Sequence, residues 1–255
     1  MPLDDDAGEA GVAAWVRRWW RALLAELLAT MLLVFLGVAS VIPVKPDQDI
    51  PLTNPALAFG LVIIMNIQAF GATSGAHMNP AVTVAAVAAG RLRAAAAAGY
   101  VLAQVAGALL GFGALVALLP AHALRNNAGC TWPAHVSPAA ALCVEAAMTG
   151  LLALLCCGLW TQHDPARPDH TAPLKFGLGV AGLVYAGGEM TGTSLNPARS
   201  LAPAIFHNFW EHHWVYWLGP LGGSAAATLL HRHVLCAARG VARDEALPLR
   251  DKPAA

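Results

Sequence analysis

The chain alternates long apolar blocks with short polar breaks. Between Arg21 and Lys45 the only charge is Glu26, and the stretch is otherwise apolar over a length that crosses about 30 Å of hydrocarbon. Residues 51–70 and 94–119 are uncharged and predict a second and a third span. Residues 138–159, with Glu145 as their one charge, predict a fourth; 173–188, with Lys175 near its start, a shorter fifth; and 212–231 a sixth. Trp210, Trp214 and Trp217 rim the last block as interfacial aromatics do. A cleaved signal peptide would have a shorter apolar core nearer the start and a small-residue cleavage site, so 21–45 is expected to stay as a membrane helix.

Two apolar stretches remain, 80–90 and 197–206, each too short to span. They open alike, in GAHMNPAVTVA around Asn79, Pro80 and Ala81 and in GTSLNPARSLA around Asn196, Pro197 and Ala198. Asn followed by Pro starts a helix, because Asn caps free backbone N–H groups and Pro fits a first turn that does not need its missing N–H. Two short helices starting inside the membrane are therefore predicted. Glu26 lies 53 residues before Asn79 and Glu145 lies 51 before Asn196, in the similar settings LLAELLATMLLVF and LCVEAAMTGLLAL. The chain reads as an internal duplication. With three spans per unit, the second copy enters with opposite polarity, an inverted repeat that brings the two short helices together from opposite faces. Irregular backbone at that depth is tolerated where it lines a watery cavity, so a polar pathway is implied.

Composition adds exclusions. Among 255 residues 57% are hydrophobic and only 12% charged, against about 25% charged in soluble domains. Lys and Arg number 15 and Asp and Glu 15, a balance without the basic footprint of a nucleic-acid binder. The five cysteines have no regular spacing, so neither a disulfide framework nor a zinc site is expected. With both termini inside, Arg17, Arg18, Arg21, Arg91, Arg93, Arg167, Lys175, Arg232, Arg239, Arg243, Arg250 and Lys252 are cytoplasmic, leaving only Lys45, Arg125 and Arg199 elsewhere. That bias follows the positive-inside rule. The expected organisation is a cytoplasmic tail at 1–19, a first repeat at 20–120 with its half-helix at 79–89, an extracellular connecting loop at 121–137, a second repeat at 138–236 with its half-helix at 196–206, and a cytoplasmic tail at 237–255.

Over about residues 20–233 the sequence resembles the aquaporin, or major intrinsic protein, family. SGAHMNPAVT and TGTSLNPARS are similar to its two NPA motifs, and Glu26 and Glu145 to its buried helix glutamates. The resemblance implies an all-α membrane protein with six transmembrane helices and two re-entrant half-helices, packed as a homotetramer with one pore per subunit in the plasma membrane. It also carries over a selectivity filter: Phe59, Val184 where water-selective members have His, Thr193, and Arg199 after the second NPA. An apolar residue at that His position resembles the insect glycerol-permeable branch, the entomoglyceroporins. Ser200, Ala204, Tyr216 and Trp217 instead resemble the pattern of water channels. The pore-lining position touches the permeant, which favours a channel for water and glycerol, with urea as a further small solute, over a water-selective one. No cofactor, metal or nucleic-acid partner is implied.

Pores of this kind select by diameter, lining donors and acceptors, and electrostatic barriers. The two half-helix dipoles would disfavour a cation where they meet. Asn79 and Asn196 would offer amide donors to a passing oxygen, and the carbonyls of Gly75, Ala76, His77, Gly192, Thr193 and Ser194 would replace its lost hydration. Glu26 and Glu145 would support those loops by buried hydrogen bonds. His77 reads as a fixed part of the cytoplasmic vestibule or as a proton-sensitive gate. Thr193 stands where mercurial-sensitive members often carry Cys, so block at that site is not expected. The rival class is an ion-coupled secondary transporter, which shares inverted repeats and broken helices but usually needs an ionisable coupling residue at the midplane, where the candidates Asn79, Asn196 and Arg199 include no carboxylate. An enzyme is disfavoured, since no nucleophile with a base, metal cluster or phosphate loop occurs at useful spacing.

Overall fold

The computed structural model describes residues 11–45, 48–162 and 169–236. Most of both expected tails, 1–10 and 237–255, and with them Arg167, Arg239, Arg243, Arg250 and Lys252, lie outside the described residues. The fold is all-α: α1 Val12–Ala39, α2 Thr53–Ser74, α3 Pro80–Ala88, α4 Ala94–Leu118, α5 Pro138–Gln162, α6 Ala172–Thr191, α7 Pro197–His207 and α8 Val215–Leu230. A π-helical turn, His231–Leu235, continues α8. Four helices, α1, α2, α4 and α5, are long and apolar enough to cross a membrane by themselves. The 20 residues of α6 also reach about 30 Å, and α8 with its π-helical turn completes six spans around the half-helices α3 and α7.

The helix ends differ from the apolar blocks, for local reasons. α1 starts at Val12 rather than after residue 19, because Trp19 and Ala22 are buried against Leu92, Ala96 and Tyr100, with Trp15 packed beside them. It stops at Ala39, where Ser40 Oγ donates to Gly37 O at 2.6 Å, ahead of Pro43. α2 and α6 run on to Ser74 and Thr191, polar residues held by the buried glutamates, and each ends on a left-handed glycine, Gly75 (φ 87°) or Gly192 (φ 76°). α8 begins later than residue 212, since His212 sits at φ 51° in a turn that resets the chain. Before α6, exposed Asp169 accepts from Lys175 Nζ, Thr171 Oγ1 and Thr171 N, and these donors hold its carboxyl below the usual carboxylate range.

Glycines set the helix spacing. α1 lies along α4 and α5 along α8 in equivalent positions of the two halves. A Cβ at Gly107 would overlap the Leu27 carbonyl, and one at Gly223 the Ala146 carbonyl. α2 meets α6 at Gly60 and Gly177, each against the other's carbonyl. Close backbone approach through small residues is how helices pack where lipid offers no hydrophobic drive. The two half-helices are thereby enclosed, with Ser224 Oγ of α8 donating to Ala81 O of α3 at 2.6 Å.

Candidate functional site

Asn79 and Asn196 each cap a half-helix. Asn79 Oδ1 accepts from Ala81 N at 2.8 Å, and Asn196 Oδ1 from Ala198 N at 3.0 Å and Arg199 N at 3.3 Å. Pro80 and Pro197 occupy first-turn positions that need no donor. The amide nitrogens then cross between loops: Asn79 Nδ2 donates to Leu195 O at 2.7 Å, and Asn196 Nδ2 to Met78 O at 2.8 Å. Flipping either amide would set donor against donor, so the network itself assigns the orientation. One hydrogen of each amide is thereby committed to the opposite loop, so the donor expected for a passing oxygen is the other of the two that an amide carries. The second hydrogen of each amide is left to face the cavity.

The approaches to the caps repeat in conformation. Gly75, Ala76 and Met78 have φ of 87°, 49° and 54°, and Gly192, Thr193 and Leu195 have φ of 76°, 41° and 55°. Four of these are non-glycine residues in the left-handed region, a strain that persists only where surroundings impose it. Here the two carboxylates impose it. Glu26, fully buried, accepts from Ser74 Oγ (2.6 Å), His77 N (2.8 Å), Met78 N (2.8 Å) and Gln104 Nε2 (2.8 Å). Glu145, also fully buried, accepts from Thr191 Oγ1 (2.7 Å), Ser194 N (2.9 Å) and Leu195 N (2.9 Å). Tyr100 and Tyr216 complete the clamps by donating to Ser74 O and Thr191 O, each at 2.9 Å. With their N–H groups turned outward to these acceptors, the alternating backbone leaves the carbonyls of Gly75, Ala76, His77, Gly192, Thr193 and Ser194 without a donor among the described residues.

Phe59, Val184, Thr193 and Arg199 line one cavity with His77, Asn79 and Asn196. Its volume is about 40 Å³, room for a short file of waters at roughly 10–15 Å³ each. Arg199 is 4% exposed, and its Nη1 donates to Gly129 O at 2.6 Å. Its Nε has no partner among the described residues. The Phe59 ring lies 5.5 Å from the guanidinium carbon, within cation–π reach, so Phe59 sits against Arg199 rather than across a gap from it. Thr193 Oγ1 is buried without a partner among the described residues. Ser200, Ala204, Tyr216 and Trp217 are not among the lining residues. Ser200 Oγ lies 2.5 Å from Ser194 Oγ and 2.7 Å from Thr131 Oγ1, behind the loop.

At His77, Val82 and Phe176 the cavity opens into a vestibule of about 600 Å³ that Arg18, Arg91 and Arg93 border. His77 Nδ1 is 3.2 Å from Thr83 Oγ1, and its ring packs edge-on to Tyr100 at 5.2 Å. Sequence reasoning passed over Gln104, Gly129 and the carbonyl-clamping role of the tyrosines. The repeat signalled the tyrosines, since Tyr100 lies 21 residues after Asn79 and Tyr216 lies 20 after Asn196. Nothing in the sequence tied Gly129 to Arg199, 70 residues away.

A bundle of spanning helices whose two half-helices meet cap to cap at a narrow polar cavity defines a membrane pore. The chain belongs to the major intrinsic protein family, whose profile matches residues 14–231, and it is a passive channel rather than an enzyme. It is similar to the lens fiber major intrinsic protein of Gallus gallus, 39% identical with 93% of this chain and 90% of that one covered. It is similar also to aquaporin-2 of Bos taurus, 40% identical over 84% of this chain and 79% of that one, and to aquaporin-4 of Mus musculus, 34% identical over 87% and 69%. The aquaglyceroporin structure from Plasmodium falciparum superposes with a TM-score of 0.73 at 23% identity, covering 88% of this chain and 99% of that one, and so shares the fold.

Proposed function

We propose that the channel conducts water and glycerol, with urea as a further small neutral solute, and excludes protons and ions. Phe59, Val184, Thr193 and Arg199 form the filter in this reading. The observation that carries it is the lining itself: Val184, on the cavity wall, is aliphatic, so Arg199 is the single charged side chain among Phe59, Val184 and Thr193. Hydroxyls would track the Arg199 guanidinium and the free carbonyls, while CH groups slide on Phe59 and Val184. Arg199 presents donors and a fixed charge that repels cations, and the half-helix ends add to that barrier. The buried carboxylates, Glu26 on α1 and Glu145 on α5, are engaged by donors of the two loops, which supports a channel over an ion-coupled transporter.

The same reading places the chain in the glycerol-permeable branch that resembles the entomoglyceroporins, as a homotetramer in the plasma membrane with both termini cytoplasmic and the vestibule facing the cytoplasm. A water-selective pore is the second reading, favoured by Ser200, Tyr216 and Trp217. Ser200 and Tyr216 support loops from behind and Trp217 donates to His213, and none of the three lines the cavity, which is why the lining outweighs them. Val184→His tests the choice, because an imidazole would narrow the slot and add a second polar side. Glycerol flux is expected to fall more than water flux; equal loss of both at normal membrane abundance contradicts a filter role for Val184.

A further inference from the structure

Two of the four filter side chains stand on glycines. The Phe59 ring, on α2, lies edge-on to Gly37 of α1: a Cβ at Gly37 would overlap Cε1 and come to 2.7 Å from Cδ1 and 2.8 Å from Cζ. Thr193, in the second loop, has its hydroxyl in a niche on α6, where a Cβ at Gly187 would come to 2.7 Å from Oγ1 and 3.7 Å from the Thr193 Cβ. Approaches under 3 Å force something to move. The Gly107 and Gly223 contacts are of another kind, since there the obstacle is backbone and the helices themselves must part. At Gly37 and Gly187 the obstacle is instead a rotatable side chain, and each of these side chains borders open volume.

That open volume is the cavity. The Phe59 ring is packed between two clusters of buried apolar residues, its face is toward Arg199, and the space it borders is the lumen. The Thr193 hydroxyl, set against Gly187, is buried with no partner among the described residues, an arrangement that costs free energy. A rotation of χ1 away from α6 would deliver it to the lumen.

We infer that Gly37 and Gly187 set the width of the pore: by leaving room behind Phe59 and Thr193 they keep these side chains back from the lumen, which in a glycerol-permeable pore makes the two glycines specificity-determining residues. They touch no permeant, and each acts through the side chain it backs. The inference rests on the proposed glycerol permeability, and the test separates the two.

The full chain is reconstituted as wild type, Gly37→Ala, Gly187→Ala, the doubles Gly37→Ala/Phe59→Leu and Gly187→Ala/Thr193→Ala, and Gly182→Ala, where an added Cβ meets nothing within 4 Å. Water efflux and labelled glycerol uptake are read in the same vesicles and normalised to incorporated protein. Each single alanine should lower the glycerol-to-water ratio by about tenfold, the lower end of what one methyl group does to discrimination in a tight pocket. Each double should restore it, and Gly182→Ala should leave it unchanged. An unchanged ratio in the singles overturns the inference, as does a loss that truncating Phe59 or Thr193 does not rescue. If Gly37→Ala fails to insert, Gly187→Ala and its double decide. A wild type that passes water alone overturns the glycerol reading but not this one, which is then judged on whether Gly37→Ala slows water and Phe59→Leu restores it.

Discussion

At the scale of single residues, the pore is held by two carboxylates doing similar work with unequal support. Glu26 has four donors and Glu145 three, because Gln104 has no counterpart beside Glu145. Exchanging either for Gln sets an amide donor against loop N–H groups, and a buried group left unpaired costs about 1–3 kcal/mol. Glu26→Gln is therefore expected to lower thermal stability in detergent more than Glu145→Gln, with both reducing flux; an undiminished melting temperature would contradict the clamp. Cys130, beside the Arg199 anchor, has its thiol pushed up to about 11 by burial, against the opposing pull of Arg199. Its thiolate is therefore scarce at neutral pH, and labelling at Cys130, followed by mass spectrometry, should rise with pH toward that value. Labelling that is already maximal at neutral pH would contradict the burial. The caps and both glutamates were legible in the sequence because the duplication doubles them. The Gly129 carbonyl under Arg199 was not, since no pattern relates those two segments, and the repeat that brings the two loops together does not show that each asparagine donates to the other's carbonyl.

At the scale of helices, backbone contact rather than side-chain fit sets the spacing. Gly107→Ala and Gly223→Ala each drive a methyl into a carbonyl of the neighbouring helix, and overpacking of that kind costs about 1–3 kcal/mol. Lower melting temperatures are expected for both, against no loss for Gly222→Ala, whose Cβ would meet nothing within 4 Å. If all three behave alike, the packing account fails. The existence of the spans was readable from the absence of charge, but their ends were not. α1 gains its first turns from Trp15 and Trp19 packing near α4, and α2 and α6 extend to Ser74 and Thr191 because buried glutamates wait for them. Tertiary partners decide those boundaries, and hydropathy does not report partners.

At the scale of the whole molecule, the inverted repeat turns two marginal elements into one rigid site. Neither half-helix loop would hold its left-handed residues alone; each is fastened from behind by its own glutamate and from the front by the other loop's asparagine. In the proposed function, selectivity then falls to the few side chains that border the cavity. Those four positions were assigned through family resemblance, because Phe59, Val184 and Thr193 are indistinguishable from packing residues by type and spacing. The structure lines one cavity with all of them, together with Arg199.

The measurement that tests this most directly is paired permeability of the wild-type chain in proteoliposomes, by osmotic shrinkage for water and labelled uptake for glycerol in one preparation. An aliphatic Val184 beside Arg199 predicts fast movement of both. Fast water with glycerol at the level of empty vesicles would contradict it and make Ser200, Tyr216 and Trp217 the better guide to what this pore admits.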